Sequence, residues 1–229
     1  MIKFAMILSG CGGMDGSEVH EAVSLMIAVK QLGCKYTCFA LNEPQKYVIN
    51  VNHDIGTQQQ TSETRNMLLE AGRLNHGLIH DLKKLNVSQF DGLVLPGGYG
   101  TGTSLSNFIE CDGQTCKKNI DYIVKDEIKD VIQEFNKQKK PIFAGCMAPI
   151  LVNGSLTGVT IMTDIGLYTK EIIEKHKNSY KVCNAGEVCV DFENKIVTVP
   201  FYMTPKVEID TIFDESIKGI SELIKMLKK

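Results

Sequence analysis

Short, mostly apolar runs that stop at glycine-rich or polar segments constrain this chain most. They are Phe4–Leu8, Tyr36–Ala40, Gly92–Leu95, Pro141–Ala144 and Lys195–Val199. Runs this short read as buried strands. Amphipathic helical runs separate or follow them: Glu18–Gln31, Ser62–Gly72, Ile120–Asn136, Asp164–Lys175 and Val207–Lys228. In the first of these, Val19, Ala22, Val23, Met26, Ile27 and Val29 form a broad apolar face, and Gly33 is a C-terminal stop. The alternation predicts a three-layer α/β/α sandwich with a mostly parallel sheet covered on both faces. At 229 residues, a single domain over 1–229 suffices to bury one core.

In such folds ligands lie outside the carboxyl ends of the strands. Three strand exits here are rich in small or polar residues. They are Ser9-Gly10-Cys11-Gly12-Gly13, Pro96-Gly97-Gly98-Tyr99-Gly100 and Gly145-Cys146. Cys146 ends the run Pro141-Ile142-Phe143-Ala144-Gly145, and Gly145 and Ala148 flank it closely. That pattern suits a sharp strand-to-helix turn that raises a nucleophile above the sheet edge. A helix N-terminus beyond it would favour thiolate. A buried core cysteine is the plainer alternative.

The other segments bound the function. A net charge of -2, with no basic stripe interleaved with aromatics, excludes a nucleic-acid footprint. Absence of an apolar run of ~18–20 residues excludes a spanning helix. The N-terminus, Met1 to Gly10, has too short an apolar stretch for a signal peptide, which favours a cytoplasmic location. Eight cysteines contain no C-x-x-C pair, which predicts reduced thiols and no zinc site. Asn42–Gln60 reads as a short β excursion. Gly100–Cys116 reads as a long polar loop anchored by Leu105, Phe108 and Ile109, a candidate binding loop.

The segment from Cys11 to Glu21 joins the first strand to the first helix. Ser17 is the expected helix cap, and Ser17 and Glu21 are accounted for by capping and first-turn charge. Glu18 is the candidate proton partner for Cys146, with a pKa raised if buried. His20, on a different helical face from Glu18, reads as structural. Glycines at the second exit let backbone N–H groups approach a ligand oxygen. A phosphate loop is excluded, because no Gly-Lys-Ser/Thr follows. Cys11 reads first as a small residue filling a turn. Asn107 is a candidate pocket residue from the long loop. Thr163 or Asp164 is an expected helix cap.

These constellations, in this order, resemble the DJ-1/PfpI superfamily within the class I glutamine-amidotransferase-like fold, and its ElbB-like branch in particular. The matching residues are Ile7 to Gly12, Asp15-Gly16-Ser17-Glu18-Val19-His20-Glu21-Ala22, Thr64-Arg65-Asn66, Leu95 to Gly100, Leu105 to Phe108, Cys146-Met147-Ala148-Pro149, Thr163 to Ile165 and Asn194 to Met203. The resemblance implies a flavodoxin-like sandwich, Cys146 as reactive thiol, Glu18 as its carboxylate, and Gly97 and Gly98 as backbone donors, with Met147 and Cys11 nearby. It implies cofactor-independent glyoxalase chemistry on glyoxal-type dicarbonyls, no metal, an association with isoprenoid biosynthesis, and a homodimer. One departure is plain: Met147 stands where many members have histidine directly after the nucleophile, and no His-x-Glu pair lies near the C-terminus. Triad-type protease or glutaminase chemistry is disfavoured. A non-enzymatic redox-sensing or metabolite-binding module is the alternative from another class.

Overall fold

Each apolar run becomes a strand of one sheet. The computed structural model describes residues 1–52, 57–111, 116–163 and 170–228. The first part of the chain comprises β1 (Lys3–Ile7), α1 (Val19–Gln31), β2 (Lys35–Ala40), β3 (Ile49–Asn52), β4 (Thr57–Gln60), α2 (Met67–Gly72), β5 (Ile79–Asp81) and β6 (Gly92–Leu95). It continues with α3 (Tyr99–Thr103), β7 (Ile109–Cys111), β8 (Cys116–Lys118), α4 (Asp126–Lys137), β9 (Ile142–Gly145) and α5 (Pro149–Ser155). The last part holds β10 (Thr160–Thr163), α6 (Lys170–Lys175), β11 (Ser179–Val182), β12 (Cys189–Asp191), β13 (Ile196–Val199) and α7 (Ile209–Leu227).

The main sheet runs β12-β13-β9-β6-β1-β2-β5. All its pairings are parallel except β12 with β13. This is the α/β sandwich that the alternation predicts, in the flavodoxin-like form that the resemblance implies. From β1 the chain winds outward to β2 and β5, then returns to β6 on the other side of β1. That reversal opens a crevice above the carboxyl ends of β1 and β6. The register brings the neighbouring exits level: Leu95 pairs with Ala144, and Gly145 with Val199.

The core explains the sequence pattern. Phe4, Phe135 and Phe143 are fully buried, as are Phe108 and Phe201 outside the regular strands. α1 packs on α7, and α7 on β9 and β13. Gly219 makes that packing possible, since a Cβ there would lie 2.3 Å from the Phe143 ring. On α1, Ala22, Met26 and Val29 are buried, whereas Val19 and Ile27 of the expected face are exposed. Among the described residues no helix is long and apolar enough to cross a membrane.

Several expectations need correction. α2 starts at Met67 rather than Ser62, because Asn66 is its cap and accepts the Leu69 N–H at 3.1 Å. α4 starts at Asp126 rather than Ile120. Asn42–Gln60 does contain a β excursion, the β3–β4 hairpin. Gly100–Cys116 is not a long loop. It holds most of α3 and the β7 arm of a hairpin, and Leu105, Phe108 and Ile109 bury it against the core. Cys111 and Cys116 face each other across that hairpin and are joined in a disulfide. Reduced thiols were expected because motif spacing does not reveal a cross-strand pair. Thr163 ends β10, and Asp164 and the residues up to the start of α6 lie outside the described residues.

Candidate active site

The three strand exits do converge. Tyr99 N–H donates to Gly13 O at 2.8 Å, and Gly100 N–H to Gly16 O at 3.0 Å. Glu18 N–H donates to Gly97 O at 3.1 Å. These bonds stitch the loop after β1 to the loop after β6. Gly98 permits the approach: its φ is +99°, and a Cβ would lie 2.3 Å from Gly16 O. Cys146 N–H donates to Val199 O at 3.0 Å, which ties the β9 exit to β13.

Cys146 adopts φ +52°, a left-handed conformation unusual for a residue with a side chain. It stands between β9 and α5, as the elbow expectation requires. Gly145 admits the turn, because a Cβ there would meet the Phe201 ring at 2.3 Å. The thiol is buried, with 7% of the residue exposed. Met147, also buried, packs its sulfur toward Gly102 of α3.

The carboxylate facing this thiol is Glu21, not Glu18. Glu21 is fully buried and hydrogen-bonded to the Cys146 side chain. Its Oε2 accepts the Gly97 N–H at 3.0 Å. Oε1 has no well-aligned hydrogen bond, although the Cys146 thiol and the Tyr202 N–H both reach the carboxyl. Burial first, and the Glu18 charge second, push the Glu21 carboxyl from 4.5 up to about 8. Glu21 therefore holds its proton at neutral pH.

Glu18 has a different job. Its backbone is extended, at φ -65° and ψ 128°, so it is the cap of α1 rather than a residue within it. Its Oε2 accepts the Glu21 N–H at 2.8 Å. The expected cap, Ser17, is buried instead, and its Oγ accepts the Ser9 N–H at 2.8 Å. Because Glu18 precedes the helix, helical spacing does not separate it from His20. The His20 Nδ1 lies 3.8 Å from Glu18 Oε1 and 2.8 Å from Tyr202 Oη.

Burial raises the Cys146 thiol well above the ordinary value, and the Glu21 charge would raise it further. Amide hydrogen bonds from Gly98 and Met147 oppose this. The expected thiolate-favouring helix terminus does not prevail, because desolvation outweighs it and α5 has only seven residues. The resting pair is a neutral thiol beside a neutral carboxyl. Gly97 N–H is held by Glu21, so the amides facing the sulfur are those of Gly98 and Met147.

Other expected residues lie elsewhere. The Cys11 thiol sits among Glu70, Arg73 and Asp15, and burial raises its pKa. Asn107 accepts the Ile123 N–H at 2.5 Å and lines a separate surface depression with Lys46, Thr103 and Lys125. Sequence reasoning missed Tyr202 and Tyr99. Tyr202 reaches Glu21 and His20 from the exit of β13. Tyr99 is near enough to Cys146 to feel its charge. Their only sequence signal was their place just after strand ends.

No family model matches the chain. It is 35% identical over 210 residues to the human "Glutamine amidotransferase-like class 1 domain-containing protein 3, mitochondrial", covering 88% of this chain and 75% of that protein. It is 33% identical over 232 residues to the rat "ES1 protein homolog, mitochondrial", covering 97% and 82%. Among solved structures, an isoprenoid biosynthesis protein with an amidotransferase-like domain from Ehrlichia chaffeensis superposes with a TM-score of 0.83 at 30% identity, over 98% of this chain and 99% of that one. Glyoxalase III from Candida albicans shares the fold, with a TM-score of 0.59 at 13% identity over 96% and 97%.

The relatives' names overturn the cytoplasmic expectation, since both of those proteins are named mitochondrial. The apolar N-terminal run is the buried strand β1, so its shortness says nothing of location. Identity of this extent, with the sheet and elbow described above, places the chain in the class I glutamine-amidotransferase-like family, beside the ES1 proteins and the isoprenoid biosynthesis protein with an amidotransferase-like domain.

Proposed function

We propose that the protein is a cofactor-independent glyoxalase-type enzyme that converts small dicarbonyls to hydroxy acids. One observation carries this reading: a carboxyl that keeps its proton at neutral pH lies against a buried thiol on a strained elbow. A neutral carboxyl can donate from one oxygen while it accepts at the other. That is what a 1,2-proton shift needs.

The thiol adds to the aldehyde carbon. A C–S bond forms as the carbonyl oxygen takes the Glu21 proton and Glu21 takes the thiol proton. Gly98 and Met147 amides face the oxygen while it carries charge. Glu21 then removes the C–H proton and protonates the neighbouring carbonyl oxygen, giving an enediol. A second exchange protonates the adjacent carbon and leaves a thioester on Cys146. Water releases the hydroxy acid. Each exchange returns Glu21 to its protonated form.

The test is hydroxy-acid formation from glyoxal and methylglyoxal by the purified protein. C146A is expected to lose turnover altogether, and E21Q to lose about 10²–10⁴-fold. E18Q is expected to lose less. Full turnover by C146A would refute the mechanism. The same reading takes the working form as a homodimer, which sedimentation would check. The relative's name in isoprenoid biosynthesis points to that metabolism as the setting.

A further inference from the structure

Release of the product requires a base for water, and a base separate from Glu21 leaves that carboxyl free to protonate the departing sulfur. Glu21 is protonated when the thioester forms, and Met147 occupies the position after the nucleophile. An imidazole nevertheless stands beside Tyr202, whose backbone N–H reaches Glu21. His20 Nδ1 is 2.8 Å from Tyr202 Oη and 3.8 Å from Glu18 Oε1. The His20 side chain is half exposed, so solvent reaches it. Tyr202 lies at the exit of β13, and burial first, then the Glu18 charge, raise its phenol above the ordinary value. That exit is fixed from below: Phe201 N–H donates to the buried Glu215 carboxyl at 2.8 Å.

We propose that Glu18, His20 and Tyr202 form the proton relay that activates the hydrolytic water, in place of a histidine beside the nucleophile. The inference rests on the glyoxalase reading. With its own proton on Nε2, His20 accepts the Tyr202 O–H at Nδ1. The water oxygen attacks the thioester carbon. Its proton passes to the Tyr202 oxygen as the Tyr202 proton passes to His20. The C–S bond breaks, and the sulfur takes the Glu21 proton. The imidazolium, beside the Glu18 carboxylate, returns a proton to Glu21 through solvent. The net change is thioester plus water to carboxylic acid plus thiol. Tyr202 touches the reacting water and is catalytic in this scheme. His20 and Glu18 act through it.

The experiment is rapid quenching of wild type, H20A, H20Q and Y202F during methylglyoxal turnover, with hydroxylamine added to trap thioester as hydroxamate. Wild type is expected to turn over with little trapped thioester. The variants are expected to slow by about 10²-fold or more and to accumulate close to one thioester per Cys146. Free imidazole is expected to restore part of the H20A rate, which a merely structural histidine would not allow. Wild-type rates in the variants would overturn the relay while leaving the glyoxalase reading intact. So would slow variants whose Cys146 stays unacylated. A wild type without any turnover would remove the glyoxalase reading and the relay with it.

Discussion

The Glu21 carboxyl meets the Cys146 thiol inside the protein, although they are far apart in the chain and belong to different strand exits. The Gly97 amide holds Glu21 Oε2 at 3.0 Å, so the carboxyl is oriented before any substrate arrives. The contact joins the fold's stability to the site's chemistry.

Stability should depend on pH through Glu21. Its pKa is 4.5 when solvated and about 8 in the fold. Between those values the unfolded chain has released a proton that the folded chain keeps. Stability from this group is complete below the lower value and is lost as pH rises to the upper one. The slope from this group alone is roughly 1.4 kcal/mol per pH unit at its steepest. Urea unfolding at about pH 5 and about pH 8 checks this. E21Q is expected to flatten the slope, and E18Q to lower the upper limit by removing a neighbouring charge.

Gly97 has no room for a side chain. A Cβ would lie 2.4 Å from the Cys146 Cβ and 2.8 Å from Glu21 Oε2. G97A is expected to cost about 1–3 kcal/mol through overpacking, and to abolish turnover by parting thiol from carboxyl. Thermal unfolding and dicarbonyl turnover, measured on one preparation, read both effects. Normal activity in G97A would contradict the geometry.

Cys146 should resist mild oxidation. Burial and a raised pKa keep it away from peroxide in its neutral form. Intact-mass and peptide measurements under dilute hydrogen peroxide are expected to show slower oxidation of Cys146 in the folded protein than in urea. Rapid sulfinate formation at Cys146, with no dicarbonyl turnover, would favour the redox-sensing alternative.

The Cys111–Cys116 bridge closes a short loop with a sequence separation of 5. Loop-closure entropy puts its contribution at about 2 kcal/mol. For a chain of this size that corresponds to a melting-temperature loss of about 4–8 °C in the C111S/C116S double variant. Activity is expected to persist, because neither Cys111 nor Cys116 is among the groups bonded to Cys146 or Glu21. An unchanged melting temperature would show that the bridge adds nothing.

Much of the fold was legible because burial on both faces forces a parallel strand to be short and apolar. Phe4, Leu93, Phe143 and Val197 mark their strands by composition alone. Helix starts were less legible. The lengths of α2 and α4 were overestimated because Ser62–Arg65 and Ile120–Lys125 have helix-compatible composition but are held in other conformations. Asn66 caps α2 in place. The Ser106–Val124 bridge and the Lys125 N–H bond to Leu105 O hold the segment before α4.

The sequence by itself did not reveal the edge strands β5 and β12, but it determined the inner strands β1, β2, β6, β9 and β13, the elbow at Cys146 and the glycines at the exits. Those depend on local pattern, volume and backbone freedom. Only the tertiary structure decided which carboxyl meets the thiol. On paper Glu21 is accounted for by first-turn charge, and Glu18, three residues before it at a helix start, is the candidate. Glu18 keeps an extended backbone bonded to Gly97 O, so α1 begins after it and Glu21 is the residue turned into the core. Burial there raises the Glu21 pKa. Burial is a property of packed neighbours, which no run of adjacent residues records.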